Sequence, residues 1–150
     1  MNEGLQIARV EAHDLEALRK LASSRLREDY TLELFQHLYE NQPGCFLTAK
    51  VEGSLIGFIV GVPLDGSTLR ILMLAVKRSA SRKGVGSLLL GSAEAYASHR
   101  KMSSVMLEVG TANDEGINFY TKLGYRLSGL IPEYYNDRSD AFVMRKFLSM

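Results

Sequence analysis

Three stretches of the chain carry residue types that can do chemistry. The first is Ser81-Arg82-Lys83-Gly84-Val85-Gly86-Ser87, set between an apolar run and an amphipathic one. Gly84 and Gly86 remove Cβ atoms where backbone has to approach a ligand closely. The first amides of the following helix lack partners, and the dipole there favours an anion. Arg82 and Lys83 add charge in the same place, so the stretch suits a pyrophosphate. It equally suits a loop that uses glycine for its turn and cations for solvation. A P-loop does not fit, because no Gly-Lys-Ser/Thr follows a glycine at the required distance. A dinucleotide fingerprint fails as well, since Leu89 stands where a third glycine is needed.

The second stretch is Val105-Met106-Leu107-Glu108-Val109. As a strand it puts Met106 and Glu108 on one face and Val105, Leu107 and Val109 on the other. A carboxylate among apolar neighbours is costly unless it is solvated, paired or used. Burial also makes a carboxyl group a better base. The competing reading is a face open to solvent, or a pair with an arginine from a neighbouring strand. The third stretch, Asn113 to Tyr125, forms a short helix with Ile117, Phe119 and Tyr120 on one side and Gly124 as the residue that ends it.

The elements that must hold these residues follow from periodicity. Leu5–Val10 alternates as a strand, and Asp14 stands as N-cap before Leu15, Leu18, Leu21 and Ala22. A second helix spans Thr31 to about Glu40, with Leu34, Phe35 and Leu38 inward and Pro43-Gly44 as its stop. Phe46–Val51 and Leu55–Val62 flank Glu52-Gly53-Ser54 as a hairpin, and Pro63–Ser67 makes another turn. Leu69–Val76 is almost wholly apolar and reads as a strand buried on both faces. A helix covers Gly84–His99, a strand Ser104–Val109, a helix Glu115–Leu123, and strands Tyr125–Leu130 and Ala141–Leu148. The order β-α-α-β-β-β-α-β-α-β-β predicts an α+β fold with a mixed sheet.

Bulk properties narrow the classes. At 150 residues, with no repeat or linker, the sequence reads as one domain over 1–150. Apolar residues make up 46% and charged residues 23%, the balance of a globular protein. Acidic and basic residues interleave to a net charge of +1, so no nucleic-acid footprint appears. The single Cys45 excludes an intrachain disulfide and a cysteine-built metal site, and reads as a small buried side chain or, less simply, a reactive thiol. His13, His37 and His99 have no partners at ligand spacing, so no metal is expected. No signal segment and no apolar run of membrane-spanning length is seen, and a cytoplasmic protein, monomer or homodimer, is expected.

Val76 with Ser81–Gly86, taken together with Asn113, Phe119-Tyr120 and Lys122–Tyr125, resembles the GCN5-related N-acetyltransferase (GNAT) superfamily. The resemblance runs from the first strand to the last. It implies a mixed, mostly antiparallel central sheet flanked by helices, and acetyl-CoA as co-substrate. Backbone at Leu74, Ala75 and Val76 would pair with the pantetheine arm, and Ser81, Arg82, Lys83, Gly84, Val85, Gly86 and Ser87 would hold the pyrophosphate. Asn113 and Lys122 would contact the same cofactor, and Tyr120 would protonate the departing thiolate as general acid. Without the resemblance, Tyr120 reads as a core aromatic with a satisfied hydroxyl. Ser81 stands where the family usually has Gln or Arg.

Leu107-Glu108-Val109, with Glu108 twelve positions before Tyr120, is similar to the Leu-Glu-Val segment of ribosomal-protein alanine N-acetyltransferases. There the glutamate is a general base acting through water; Gly110 replaces the arginine usual in that subfamily. Ile131 to Met144 resembles the hairpin of protein N-terminal acetyltransferases. Tyr134 and Tyr135 would then line a peptide groove, with Tyr30 and Phe35 closing its other side. The plain alternative is a polar hairpin with surface tyrosines. An α-amino group titrates near about 7.7–8 against about 10.4 for lysine, so a modest base suits an N-terminal amine better. Three activities remain in competition: transfer to a protein N-terminus, transfer to a small amine, and acyl-CoA binding without turnover.

Overall fold

A computed structural model describes residues 4–26, 28–41 and 44–149. Seven strands form one sheet: β1 (Leu5–Arg9), β2 (Cys45–Val51), β3 (Ser54–Pro63), β4 (Thr68–Val76), β5 (Ser104–Gly110), β6 (Arg126–Ile131) and β7 (Ala141–Phe147). Four helices accompany them: α1 (Leu15–Arg25), α2 (Leu32–Asn41), α3 (Val85–His99) and α4 (Asp114–Lys122). The element order is the one the sequence predicts. Across the sheet the strands run β1-β2-β3-β4-β5-β7-β6, antiparallel throughout except for the parallel pair β4–β5. The Glu52-Gly53 hairpin forms with both residues at positive φ (50° and 81°), the two-residue turn whose twist suits the flanking strands.

Two cores lie on opposite faces. On one, α3 puts Val85, Leu89, Leu90, Ala93 and Ala97 against Ile59, Leu69, Ile71, Val105, Leu107 and Val109. On the other, α1 and α2 put Leu18, Leu21, Ala22 and Phe35 against Phe46, Phe58, Val60, Met73 and Ala75. Gly57 is what lets α3 sit close, since a Cβ there would lie 3.1 Å from both Leu89 Cδ1 and the Ala75 carbonyl oxygen.

Two local expectations change. Asp14 does not cap α1 with its side chain; its carboxylate accepts the Glu11 amide at 2.9 Å and pairs with Lys50 Nζ at 2.7 Å. Burial pushes that carboxyl up, but Lys50 and the amide outweigh it and hold its pKa below the usual value. Pro43, expected to stop α2, lies outside the described residues. Cys45 is buried at the start of β2, as the simpler reading has it, and burial pushes its thiol up to about 11.

β4 is where the sheet departs most from its sequence pattern. Met73 pairs with Val60 and Ile71 with Gly61, so Leu72 is one residue too many for its partner strand. That bulge reverses the phase: Leu69 and Ile71 face the α3 core, whereas Met73 and Ala75 face the α1–α2 core. Arg70, Leu72, Leu74 and Val76 stay only partly buried, so β4 is not covered on both faces. Just past the bulge β4 and β5 stop pairing, which leaves Leu72, Leu74 and Val76 beside an opening.

Candidate active site

β4 and β5 pair in register only from Thr68–Ser104 to Ile71–Leu107, although β4 continues to Val76 and β5 to Gly110. The paired end is pinned by polar groups. Arg145 Nη1 donates to Ser104 Oγ at 2.8 Å and to Thr68 Oγ1 at 3.3 Å, with the two hydroxyls 3.2 Å apart. The other end splays into a groove of about 1100 Å³, lined by Leu72–Leu74 and Val76 on one bank and Leu107–Gly110 on the other. The groove cuts through the sheet, so residues from both faces reach it.

On the α3 face, Gly84 sits at φ 85° as N-cap of α3, a conformation that glycine adopts without strain. Gly86 has a packing role as well: a Cβ there would lie 3.2 Å from Phe119 Cζ, so the glycine lets α4 pack on α3. The opening amides of this 15-residue helix are therefore presented beside the groove, together with Ser81, Arg82 and Ser87. Arg82 Nη2 also donates to Glu115 Oε2 at 3.1 Å across two well-exposed side chains. At the end of β4, Lys77 N–H bonds to the Ile56 carbonyl, which turns the Val76 peptide away from β3 and towards the gap. Arg25 Nε takes the Val76 carbonyl at 2.9 Å, so what β4 offers to a ligand there is N–H.

α4 places its tyrosine through its own termination. Asn113 caps the helix, its side-chain oxygen accepting the Gly116 amide at 2.9 Å. At the other end Gly124 (φ 101°) donates to the Thr121 carbonyl and Tyr125 donates to the Tyr120 carbonyl, the paired bonds of a Schellman motif. The side-chain contact that accompanies this motif is Tyr125 against Tyr120, ring centroids 5.9 Å apart. Tyr125 is fully buried and donates to Glu94 Oε2 at 2.7 Å, and Lys146 holds the other oxygen of Glu94 at 3.0 Å. Tyr120 is thus wedged between Phe119 and an anchored Tyr125, on the groove wall. Burial first, then the nearby Tyr135 hydroxyl, push its pKa up to about 12.

On the opposite face, Glu108 is the carboxylate in the wall, with its side chain 10% exposed. Arg70, two positions along the parallel register, brings Nε to 3.2 Å from both carboxylate oxygens and Nη2 to 2.9 Å from Tyr134 Oη. The pair with an arginine from a neighbouring strand, one of the arrangements the sequence allowed, is therefore present. Tyr30 and Leu26 line this side, and the Asn136 amide donates to Glu28 Oε1 at 3.1 Å, which joins the segment between the first two helices to the β6–β7 connection.

Most of the residues singled out in the sequence meet in this one groove: Tyr30, Leu74, Val76, Ser81, Arg82, Gly84, Gly86, Ser87, Glu108, Asn113, Tyr120, Lys122, Tyr134 and Tyr135. Four do not line it. Phe35 belongs to a helix and is buried edge-on between Tyr30 and Phe58, so it supports Tyr30 and cannot close a substrate groove. The side chains of Ala75 and Val85 are core, and Lys83 lies off the groove wall. Arg25, Leu26, Leu72 and Asn118 line it without having been expected. Arg70 had a signal, as the one charge in an apolar strand.

Residues 13–125 match the profile of the acetyltransferase (GNAT) family. An uncharacterised N-acetyltransferase of Methanocaldococcus jannaschii is 31% identical over 93% of this chain and 90% of its own length. An N-alpha-acetyltransferase of Sulfurisphaera tokodaii is 30% identical over 87% of this chain and 86% of its own. The crystal structure of Ard1 from Thermoplasma volcanium superposes with a TM-score of 0.94 at 36% identity, covering 98% of this chain and 99% of that one.

Proposed function

The chain belongs to the GNAT family of acetyltransferases, and from that premise we propose that it acetylates the α-amino group of protein N-termini, with Glu108 as base and Tyr120 as acid. It is an acetyl-CoA-dependent N-acetyltransferase. The observation that carries the residue roles is the gap in the sheet, with Tyr120 entering from the α3 face and Glu108 from the other.

The groove fits the co-substrate: opening amides of α3 and Arg82 at one end suit phosphates, and unpaired strand backbone at Val76 suits an amide-bearing arm. Bound acetyl-CoA supplies a thioester whose acetyl carbon the amine attacks, forming the C–N bond as the C–S bond breaks. Glu108, directly or through one water, takes the proton the ammonium must lose. Tyr120 stays protonated over the whole physiological range and so has a proton to give on the thiolate side. Tyr30 and Tyr134 bound the acceptor side, and Asn113 and Lys122 line the cofactor side. The relative named N-alpha-acetyltransferase supports a terminal amine as the acceptor, as does the lower basicity of that amine beside lysine.

Thiol release from acetyl-CoA, followed with a panel of free-N-terminus peptides beside polyamines, tests this. Turnover confined to the peptides is expected. Turnover confined to the polyamines would replace the acceptor assignment.

A further inference from the structure

We infer that Arg70 is a positioning residue, one that aims the Glu108 carboxylate and ties it to the Tyr134 wall of the acceptor site. The inference rests on reading Glu108 as the base.

The contact geometry distinguishes this from a pair that only holds two strands together. Arginine–carboxylate pairs are frequently bidentate, with two parallel N–H bonds that fill a lone pair on each oxygen. Here one N–H, on Nε, is shared at 3.2 Å between Oε1 and Oε2, while Nη2 is directed to Tyr134 Oη at 2.9 Å. A carboxylate has about four lone-pair sites, so a shared donor leaves sites open for an incoming proton. Burial supplies the second argument. Glu108 is 10% exposed and Arg70 30%, so removing the cation would leave a largely buried carboxylate without its charge partner. Arg70 itself is kept charged: burial pulls its pKa down, but Glu108 and Tyr134 raise it further. The remaining ionisable groups on the groove wall are the Tyr30, Tyr120, Tyr134 and Tyr135 phenols, Arg25 at the end of β4, and Arg82, Glu115 and Lys122 on the cofactor side. Glu28 adjoins them at the Asn136 amide, and Arg145 faces Ser104 on the same side of β5. The cation hydrogen-bonded to Glu108 is Arg70. The same guanidinium fixes Tyr134, so acceptor binding and proton removal share one support.

The test uses Arg70→Gln, Arg70→Lys, Glu108→Gln and the Arg70→Gln/Glu108→Gln pair in the full chain, with folding checked by circular dichroism. Arg70→Gln is expected to lower kcat by about ten- to a hundredfold, the scale of a misplaced catalytic group. It should leave the KM for acetyl-CoA unchanged and move the acidic limb of kcat/KM to higher pH. Arg70→Lys should return that limb towards its original position. The double variant should lose no more kcat than Glu108→Gln alone, because Arg70 acts on proton removal through Glu108, while its lost Tyr134 contact shows only in the KM for the peptide. Having lost both charges of a buried pair, the double variant also serves if Arg70→Gln folds poorly. An unmoved acidic limb in Arg70→Gln, or multiplied losses in the double variant, would overturn the inference while leaving Glu108 as base. If Glu108→Gln keeps the original rate and pH profile, the base assignment falls and this inference with it.

Discussion

In the proposed mechanism Tyr120 acts through its pKa as well as its place. Held up near 12 by burial and then by Tyr135, its phenol stays neutral at any ordinary assay pH and keeps a proton to give. Tyr120→Phe is expected to lower kcat by about a hundredfold or more, with little change in KM for acetyl-CoA, measured by thiol release. The same shift has a consequence for stability. Below about pH 10 the phenol is neutral in both folded and unfolded chains; above it the unfolded chain ionises first. Stability should therefore fall as pH rises from about 10 towards 12, and fall less steeply in Tyr120→Phe, as urea denaturation at about pH 9 and pH 11 would record. Cys45, pushed up to about 11 by burial, should resist a thiol reagent until the protein unfolds. Which face Glu108 occupies was legible in the alternation of its strand. Its partner was not, because Arg70 meets it only through the register of two parallel strands far apart in sequence. Phe35 misled for a related reason: an aromatic near a candidate groove and an aromatic under it look alike until packing decides.

Among the elements, α4 ties sequence to site most directly. Gly124 ends it where the sequence puts that cap, and Asn113, which the sequence offered as a cofactor contact, caps its start. Gly124→Ala would force φ 101° on a residue with a Cβ and press that Cβ to 3.3 Å from Lys146 Cε. A cost of about 1–2 kcal/mol is expected, and because the cap also seats Tyr120 on Tyr125, kcat should drop along with Tm. An equal kcat with a lower Tm would separate the cap from the site. The bulge at Leu72 was not legible: β4 reads as an unbroken apolar strand, and nothing in such a run says where its phase reverses. The reversal lets one strand serve two cores on opposite faces, and the gap that makes the groove opens just past it.

For the molecule as a whole, the seven strands and four α-helices among the described residues came through from periodicity and turn chemistry, β4 by its apolar run and not by one apolar face. What periodicity leaves out is that the sheet is pinned at one end by Thr68, Ser104 and Arg145 and open at the other. A ligand spanning that opening binds only the folded chain. Acetyl-CoA at about a hundred times its Kd should therefore add about 2.7 kcal/mol of stability, visible as a rise in Tm that Gly84→Ala, straining the φ 85° residue at the head of α3, should reduce. In the proposed function the two faces divide the work, cofactor from the α3 side and acceptor from the side of Tyr30 and Tyr134, all of which line one groove. The most direct measurement is to give the enzyme acetyl-CoA and one peptide with a free N-terminus and an internal lysine, then locate the acetyl group by fragmentation mass spectrometry. The expected result is acetyl on the α-amine alone; acetyl on the lysine, or none on the peptide at all, would contradict the account.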